Sequence, residues 1–369
     1  MLNNYMGILN LNEDETNIIS LTKSRPLASI PIGSRYRIID FALSNMVNSG
    51  LRNIGLFTQS KSRSLVDHVG AGKPWDLDRR LNGLFVFNFG IANSSLNDVE
   101  MLWNNMEYIY RSKEDNVILS SSYMVGNIDY MAAVKYHEDQ HQDITVIYKN
   151  INTGTKNFIN CDVLNIDENN NVLSVGKNIG AYSTLNISME MFIMKKDLLI
   201  SIISKCIQNG SYCTIKDSIN KSLQDLKVTA YEFKGYLQCV NSVSSYYKTN
   251  MDMLNLKTTK ELFFKNGPIF TKSIDKPPTK YDHESKVKSS IIADGCIIEG
   301  LVENSIISRG VVVHKGAEIR NSVILQNCEI KENSKLFNVI IDKNVIIDKG
   351  KELNGDEEFP LVIEKRVLF

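Results

Sequence analysis

Residues 25–50 read RPLASIPIGSRYRIIDFALSNMVNSG, the densest run of backbone-determining residues in the chain. Pro26 and Pro31 fix φ and exclude helix, and Gly33 permits a turn. The apolar residues Ile39, Leu43, Met46 and Val47 then fall at i, i+4, i+7 and i+8, the spacing of one buried helical face. Asp40 puts a negative charge in the first turn, where the helix dipole favours it, and Gly50 suits the residue just past the end. The spacing predicts a helix over 38–49. Arg35 and Arg37 stand just before it, within reach of an anion held by the preceding loop; the plainer alternative is two solvated arginines paired with local acids.

Around this stretch, 369 residues at 43% hydrophobic are enough for a large core and suggest two domains. Forty-two basic and 42 acidic residues cancel, which argues against nucleic acid or an acidic membrane surface as a partner. The six cysteines include no CxxC pair, so neither a zinc site nor a disulfide framework is indicated, and a reducing compartment fits. No apolar run approaches the ~18 residues of a membrane span, and the N-terminus lacks a basic region followed by an apolar one. A soluble cytoplasmic protein is expected.

Met6 to Leu11 reads as a buried strand. In a nucleotide-binding α/β domain such a strand leads into a glycine-rich loop whose N–H groups close around phosphates. Here Asn12 is followed by Glu13, Asp14 and Glu15, with no glycine. Three carboxylates there repel a triphosphate. Asn53–Thr58 is a second, parallel strand that completes a βαβ unit, and Asn116–Ser120 is another, its carboxyl end directed at the ligand crevice. A helix over about 129–141 and a strand over 144–149 follow; His137 and His141 stand at i, i+4 without a third ligand, so no metal is expected there. Trp103 is expected to pack in the core. A helix is expected over 243–254, and residues 256–284, with Gly267-Pro268 and Pro277-Pro278, read as a linker.

Beyond the linker, apolar residues recur every six positions: Leu301, Ile307, Val313, Ile319 and Leu325, then Ile324, Ile330 and Leu336, then Ile340 and Ile346. That period is neither helical nor a simple alternation. It is the hexapeptide signature of a parallel β-helix, and residues 287–350 predict about three and a half coils. Such a solenoid needs its open ends covered.

Tyr36 to Asn45, YRIIDFALSN, resembles the ADP-glucose pyrophosphorylases (glucose-1-phosphate adenylyltransferases) of glycogen and starch synthesis at ten consecutive positions, and Gly72 to Arg79, GKPWDLDR, is similar to a second segment of that family. The resemblance implies a Rossmann-like, GT-A-like α/β nucleotidyltransferase domain (1–255), the linker (256–284), and a left-handed parallel β-helix with a C-terminal tail (285–369). It also implies the chemistry that is missing. Where active members carry a glycine-rich loop this chain has Asn10 to Thr16; where they carry a magnesium-holding aspartate it has Ser122; and where they carry a second metal-binding aspartate it has Cys239. The lysine that grips the sugar phosphate is absent from its usual place; Lys177 is the nearest substitute, though a solvated turn lysine is the plainer reading.

These departures resemble the regulatory subunits of the bacterial enzyme. They imply a non-catalytic chain without its own cofactor, working in a hetero-oligomer, expected to be a tetramer, whose catalytic subunit binds magnesium. In the family the arginine matching Arg37 lies near an effector pocket; Lys23, Arg35, Arg37 and Arg366 are the candidates here for binding a sugar-phosphate effector. Two other readings compete: an autonomous nucleotidyltransferase with a rearranged site, and a hexapeptide acyltransferase, for which His314 is the only candidate catalytic histidine.

Overall fold

A computed structural model describes residues 2–58, 61–88, 97–210 and 214–365. The chain groups into two compact units that interleave along the sequence: residues 1–13, 39–239 and 263–270 form one, and residues 14–38, 240–262 and 271–369 the other.

Among the described residues, the first unit is built on a nine-stranded sheet. Tyr5–Leu11 lies between Asn53–Thr58 and Asn116–Ser120, parallel to both, and Gly83–Asn88 extends the parallel side. Leu185–Lys195 runs antiparallel on the far side of Asn116–Ser120 and carries Ile144–Ile151, which in turn pairs with Val228–Glu232. The central strands are continuous apolar runs because both faces are covered, the pattern of parallel sheets. The helix Ile38–Asn48 packs Ile39, Leu43 and Met46 at full burial, as its spacing predicts, and Gly50 takes φ +100° just beyond its end. Asp40 does more than meet the dipole. It is fully buried and lies 2.6 Å from Nε2 of His68. Helix Tyr130–Gln140 is capped by the Asp129 side chain, which accepts the Met131 N–H, and ends at His141 with φ +50°.

Two expectations fail in this unit. Trp103 is the last residue of the short helix Asp98–Trp103 and is 42% exposed; Val99, Met101 and Leu102 supply that helix's buried face instead. Lys177 is not a turn lysine: it ends the strand Val172–Lys177, and its Nζ is 2.6 Å from the Asp162 carboxylate.

The second unit contains the β-helix: three parallel sheets of five strands each, running from Lys280–Tyr281 to Leu361–Ile363. The left-handed solenoid thus has five turns rather than three and a half. Its first and last rungs carry charged and exposed residues, such as Lys286–Lys288, which hide the period at both ends. The interior column runs Val302, Ile307, Val313, Ile319, Ile324, Ile330, Leu336, Ile341, all fully buried. Its steps are five, six and six residues, so the turns along this column take 17 residues, as the ladder Asn304 Nδ2 to Asn321 Oδ1 (2.7 Å) marks, while Ile297 pairs with Val312 only 15 residues on and Val339 with Leu361, 22 on. The strict six-residue count therefore slips at one corner of each such turn, and Ile346, expected inside, is 53% exposed while Ile347 takes the interior place. Asn304, Asn321 and Asn338 make those corners at φ +47°, +46° and +51°, a conformation asparagine tolerates better than most residues.

The stretch 256–284, expected to be a linker, begins with a helix, Leu256–Phe264. Leu262 and Phe263 are buried, so an apolar stripe among the charges outweighs the turn signals that follow at Gly267-Pro268.

Candidate functional site

Ligands of open α/β sheets bind beyond the carboxyl ends of the strands, where the connections diverge. In the first unit that place lies beyond Leu11, Thr58 and Ser120. Ser122 is fully buried there, and Glu13 reaches back onto it: one carboxylate oxygen accepts both the Ser122 N–H (2.8 Å) and its Oγ–H (2.7 Å). The first acid of the glycine-free loop thus occupies the donors of the serine that stands where the family resemblance places a metal-binding aspartate. Next to it, Asn10 Nδ2 donates to Asp98 (2.9 Å), and Asp98 also accepts the Ile215 N–H at the start of helix Ile215–Lys221. Burial pushes the Asp98 carboxyl above its usual range. Thr58 Oγ1 and Ser121 Oγ are buried at the same strand ends without a hydrogen-bond partner among the described residues.

Cys239 ends the short strand Leu237–Cys239 and is buried. Burial, with Cys161 and Glu190 beside it, pushes its thiol well above the ordinary value, so the thiolate that a metal requires is disfavoured. Ser122 and Cys239 therefore present a hydroxyl committed to Glu13 and a neutral thiol. This pair does not fit magnesium, which is anchored by carboxylates.

A lysine does stand in this region, from an element the sequence did not flag. Lys216, on helix Ile215–Lys221, places Nζ 2.5 Å from Glu190 and 3.2 Å from Asp162. Burial opposes its charge, but Glu190 and Asp162 outweigh burial and hold the ammonium above its ordinary pKa. Glu190 reaches this position from a bulge in strand Leu185–Lys195, at φ +53°. With Lys177 on the other oxygen of Asp162, two cations meet two carboxylates. The cluster is neutralised internally, which leaves no net charge to grip a phosphate.

The second unit gathers the basic residues around the hairpin Pro31–Ile32 and Tyr36–Arg37. Arg25 is buried, with Nη2 2.7 Å from Asp342 and Nε donating to the Leu21 carbonyl. Lys343 follows Asp342, and burial together with the charges of Arg37 and Arg25 pushes its ammonium down to about 7 against the opposing pull of Asp342. Arg25, Arg37 and Lys343 thus form a half-buried cationic group in which Arg25 is paired with Asp342. Of the sequence candidates, only Arg37 belongs to it. Lys23 is an exposed residue paired with Glu364 at 2.6 Å, Arg35 lies over the Tyr36 ring at 5.2 Å, and Arg366 lies outside the described residues. Arg25 and Lys343 were missed. An arginine before a proline and a lysine in a repeat give no sequence signal of burial.

His314 stands on the β-helix with Nε2 3.0 Å from Glu329 and Nδ1 3.7 Å from Glu299. Both ring nitrogens face carboxylates. Among the described residues no group of three or more His, Cys, Asp or Glu side chains could hold a metal ion.

A nine-stranded α/β sheet with its crevice at the strand ends, and a hexapeptide β-helix, together define a nucleotidyltransferase-type protein with a solenoid domain. The family models agree: residues 16–255 match the nucleotidyl transferase model and residues 277–359 the GlmU-like C-terminal hexapeptide model. The chain is 34% identical over 369 residues to a "Glycogen biosynthesis protein GlgD" of Bacillus subtilis, covering 99% of this chain and 97% of that protein. It is 34% identical over 323 residues to a GlgD of Geobacillus stearothermophilus (86% and 84% covered), and 29% identical over 362 residues to a "Glucose-1-phosphate adenylyltransferase" of Clostridium perfringens (94% and 90%). The chain belongs to the nucleotidyl transferase family, in its glucose-1-phosphate adenylyltransferase and GlgD branch.

Proposed function

We propose that this chain is a regulatory, non-catalytic subunit that acts with a catalytic glucose-1-phosphate adenylyltransferase in glycogen biosynthesis, in the cytoplasm. The observation that carries the reading is Glu13 on Ser122: an acidic side chain fills the donors of a crevice that must otherwise receive phosphates and metal. The neutral Cys239 thiol and the self-paired Lys216 support it. Magnesium chemistry then belongs to the partner. The relatives' names support the pathway.

Regulation is assigned to the second unit. Arg37, with Arg25 and Lys343, is the site proposed for a sugar-phosphate anion, since arginine recognises phosphate through its planar fork of donors. Lys23, Arg35 and Arg366 are outlying candidates. The partner is proposed to be a catalytic subunit, in a hetero-oligomer, with a tetramer as the simplest assembly of two such pairs.

A second reading, an autonomous nucleotidyltransferase with a rearranged site, draws on the unpartnered buried hydroxyls of Thr58 and Ser121. Purification of the chain, followed by co-elution and kinetics with and without a catalytic subunit, separates the two. Turnover by the pure chain favours the second reading; an effect seen only in the mixture favours the first.

A further inference from the structure

Among the described residues the solenoid of the second unit is open at both ends. Its three sheets begin with Lys280–Tyr281, Lys286–Lys288 and Ile291–Ile292 and finish with Ile346–Ile347, Glu352–Asn354 and Leu361–Ile363, each of these strands paired on one side only. An unpaired strand edge is a template for another strand, and a solenoid end with its core uncovered needs a cap. We infer that the first turn of the solenoid receives the last turn of a second copy of this chain, head to tail. This inference does not depend on the proposed regulatory role.

The interior columns give the first reason. Tyr281 is paired with Ile298 and Val287 with Val302, yet Ile298 and Val302 are fully buried while Tyr281 is 52% and Val287 39% exposed. The columns that Tyr281, Val287 and Ile292 open end at Ile347, Leu353 and Ile363. A second copy stacked at the ~4.8 Å spacing of neighbouring strands sets apolar residues on apolar residues in all three columns. Head to tail is also the arrangement in which the strands of both copies run parallel, so each sheet continues as it is built.

Charge selects the same orientation. Residues 276–288 hold four lysines against two carboxylates, and residues 346–358 hold five carboxylates against two lysines. Two first turns facing each other would set Lys280, Lys286 and Lys288 against their own copies, and two last turns would do the same with Glu352 and Asp356. On the outer face of the middle sheet, Glu318, Lys335 and Glu352 stand side by side on successive turns, with Lys335 Nζ 2.8 Å from Glu352. Lys286 holds the first place in that column. In the stack it follows Glu352 of the other copy, and the alternation of sign continues. One like-charge meeting, Asp282 beside Asp348, is moderated by Lys331, which holds Asp348 at 3.1 Å. Because the contact joins two different surfaces, association grows stepwise rather than closing at a dimer.

The test is sedimentation velocity of the full chain alone over a concentration series. The mean sedimentation coefficient should rise with concentration and pass the value of a dimer. Lys286 and Glu352 are both exposed. Lys286→Glu and Glu352→Lys should therefore leave the fold intact, and each should weaken association by about fivefold or more, since a surface pair's attraction becomes repulsion. The double variant, with both substitutions in one chain, restores opposite charges at the contact and should restore association. Tyr281→Ser, which changes no charge, should weaken it too. A monomer at every concentration, a species that stops at the dimer, or a double variant no better than either single one would each overturn the assignment.

Discussion

Lys343 gives the proposed anion site a pH signature. Its ammonium titrates near 7 rather than near 10.5, because it is buried and because Arg37 and Arg25 repel it. An anion seated beside Lys343 adds negative charge to that of Asp342 and holds Lys343 protonated. Above pH 7 the free protein has lost that proton, so binding must take it up again. The affinity then falls as 1 + 10^(pH − 7), which is about 11-fold at pH 8 and about 100-fold at pH 9 relative to the acid limit. A sugar phosphate is already a dianion over this range, since its second pKa is about 6, so the ligand contributes little slope of its own. Calorimetry with glucose 6-phosphate between pH 6.5 and 9, in two buffers of different ionisation enthalpy, reads both the slope and the proton count. Lys343→Met should flatten the profile. A flat profile in the unaltered chain, or the same slope in Lys343→Met, would refute the reasoning.

The same shift acts on stability with a defined sign. The unfolded lysine keeps its proton to about 10.5 while the folded one releases it near 7, so the unfolded state binds more protons in that window and stability should rise with pH between those limits, measured as the urea midpoint; Lys343→Met should remove the rise. Asp342→Ala leaves Arg25 buried without its carboxylate and should cost ~3–5 kcal/mol in denaturant unfolding, with Asp342→Asn intermediate. Ser122→Asp alone should leave ADP-glucose formation at background, since the loop of Glu13, Asp14 and Glu15 stays acidic and without glycine, and should lower stability by ~1–3 kcal/mol by replacing the hydroxyl donor to Glu13 with a second carboxylate. Ile319→Ala, in the β-helix interior, should cost ~2–5 kcal/mol on unfolding.

Periodicity made some elements legible and could not reach others. The helix Ile38–Asn48 and the strands Asn53–Thr58 and Asn116–Ser120 are readable because local apolar spacing and full burial coincide. The solenoid is readable from its interior column, but only where the column is uninterrupted; the five-residue corner steps and the charged terminal rungs shorten the apparent repeat. Trp103 shows the opposite failure, because a large aromatic in an amphipathic helix carries no mark of which face it takes. At the crevice, the absence of glycine from the loop, and the serine and cysteine where the resemblance places metal-holding aspartates, are plain in the chain itself. What replaced them is not, since Glu13 meets Ser122 across 109 residues, and Lys216, Glu190 and Asp162 come from a helix, a bulge and a strand end. Lys343 became distinctive only through its neighbours Arg25 and Arg37, which lie some 300 positions earlier in the chain.

The central claim is that this chain alters a catalytic partner without catalysing the reaction itself. Its most direct test is the steady-state rate of ADP-glucose formation from ATP and glucose 1-phosphate, measured for the pure chain, for a catalytic subunit alone, and for the two together at fixed catalytic-subunit concentration. The account predicts background turnover for the pure chain, and in the mixture a change of about 5- to 150-fold in apparent substrate or effector affinity, the range of a coupling free energy of about 1 to 3 kcal/mol. Turnover by the pure chain that a mutation in its own crevice abolishes, or kinetic constants in the mixture identical to those of the catalytic subunit alone, would contradict it.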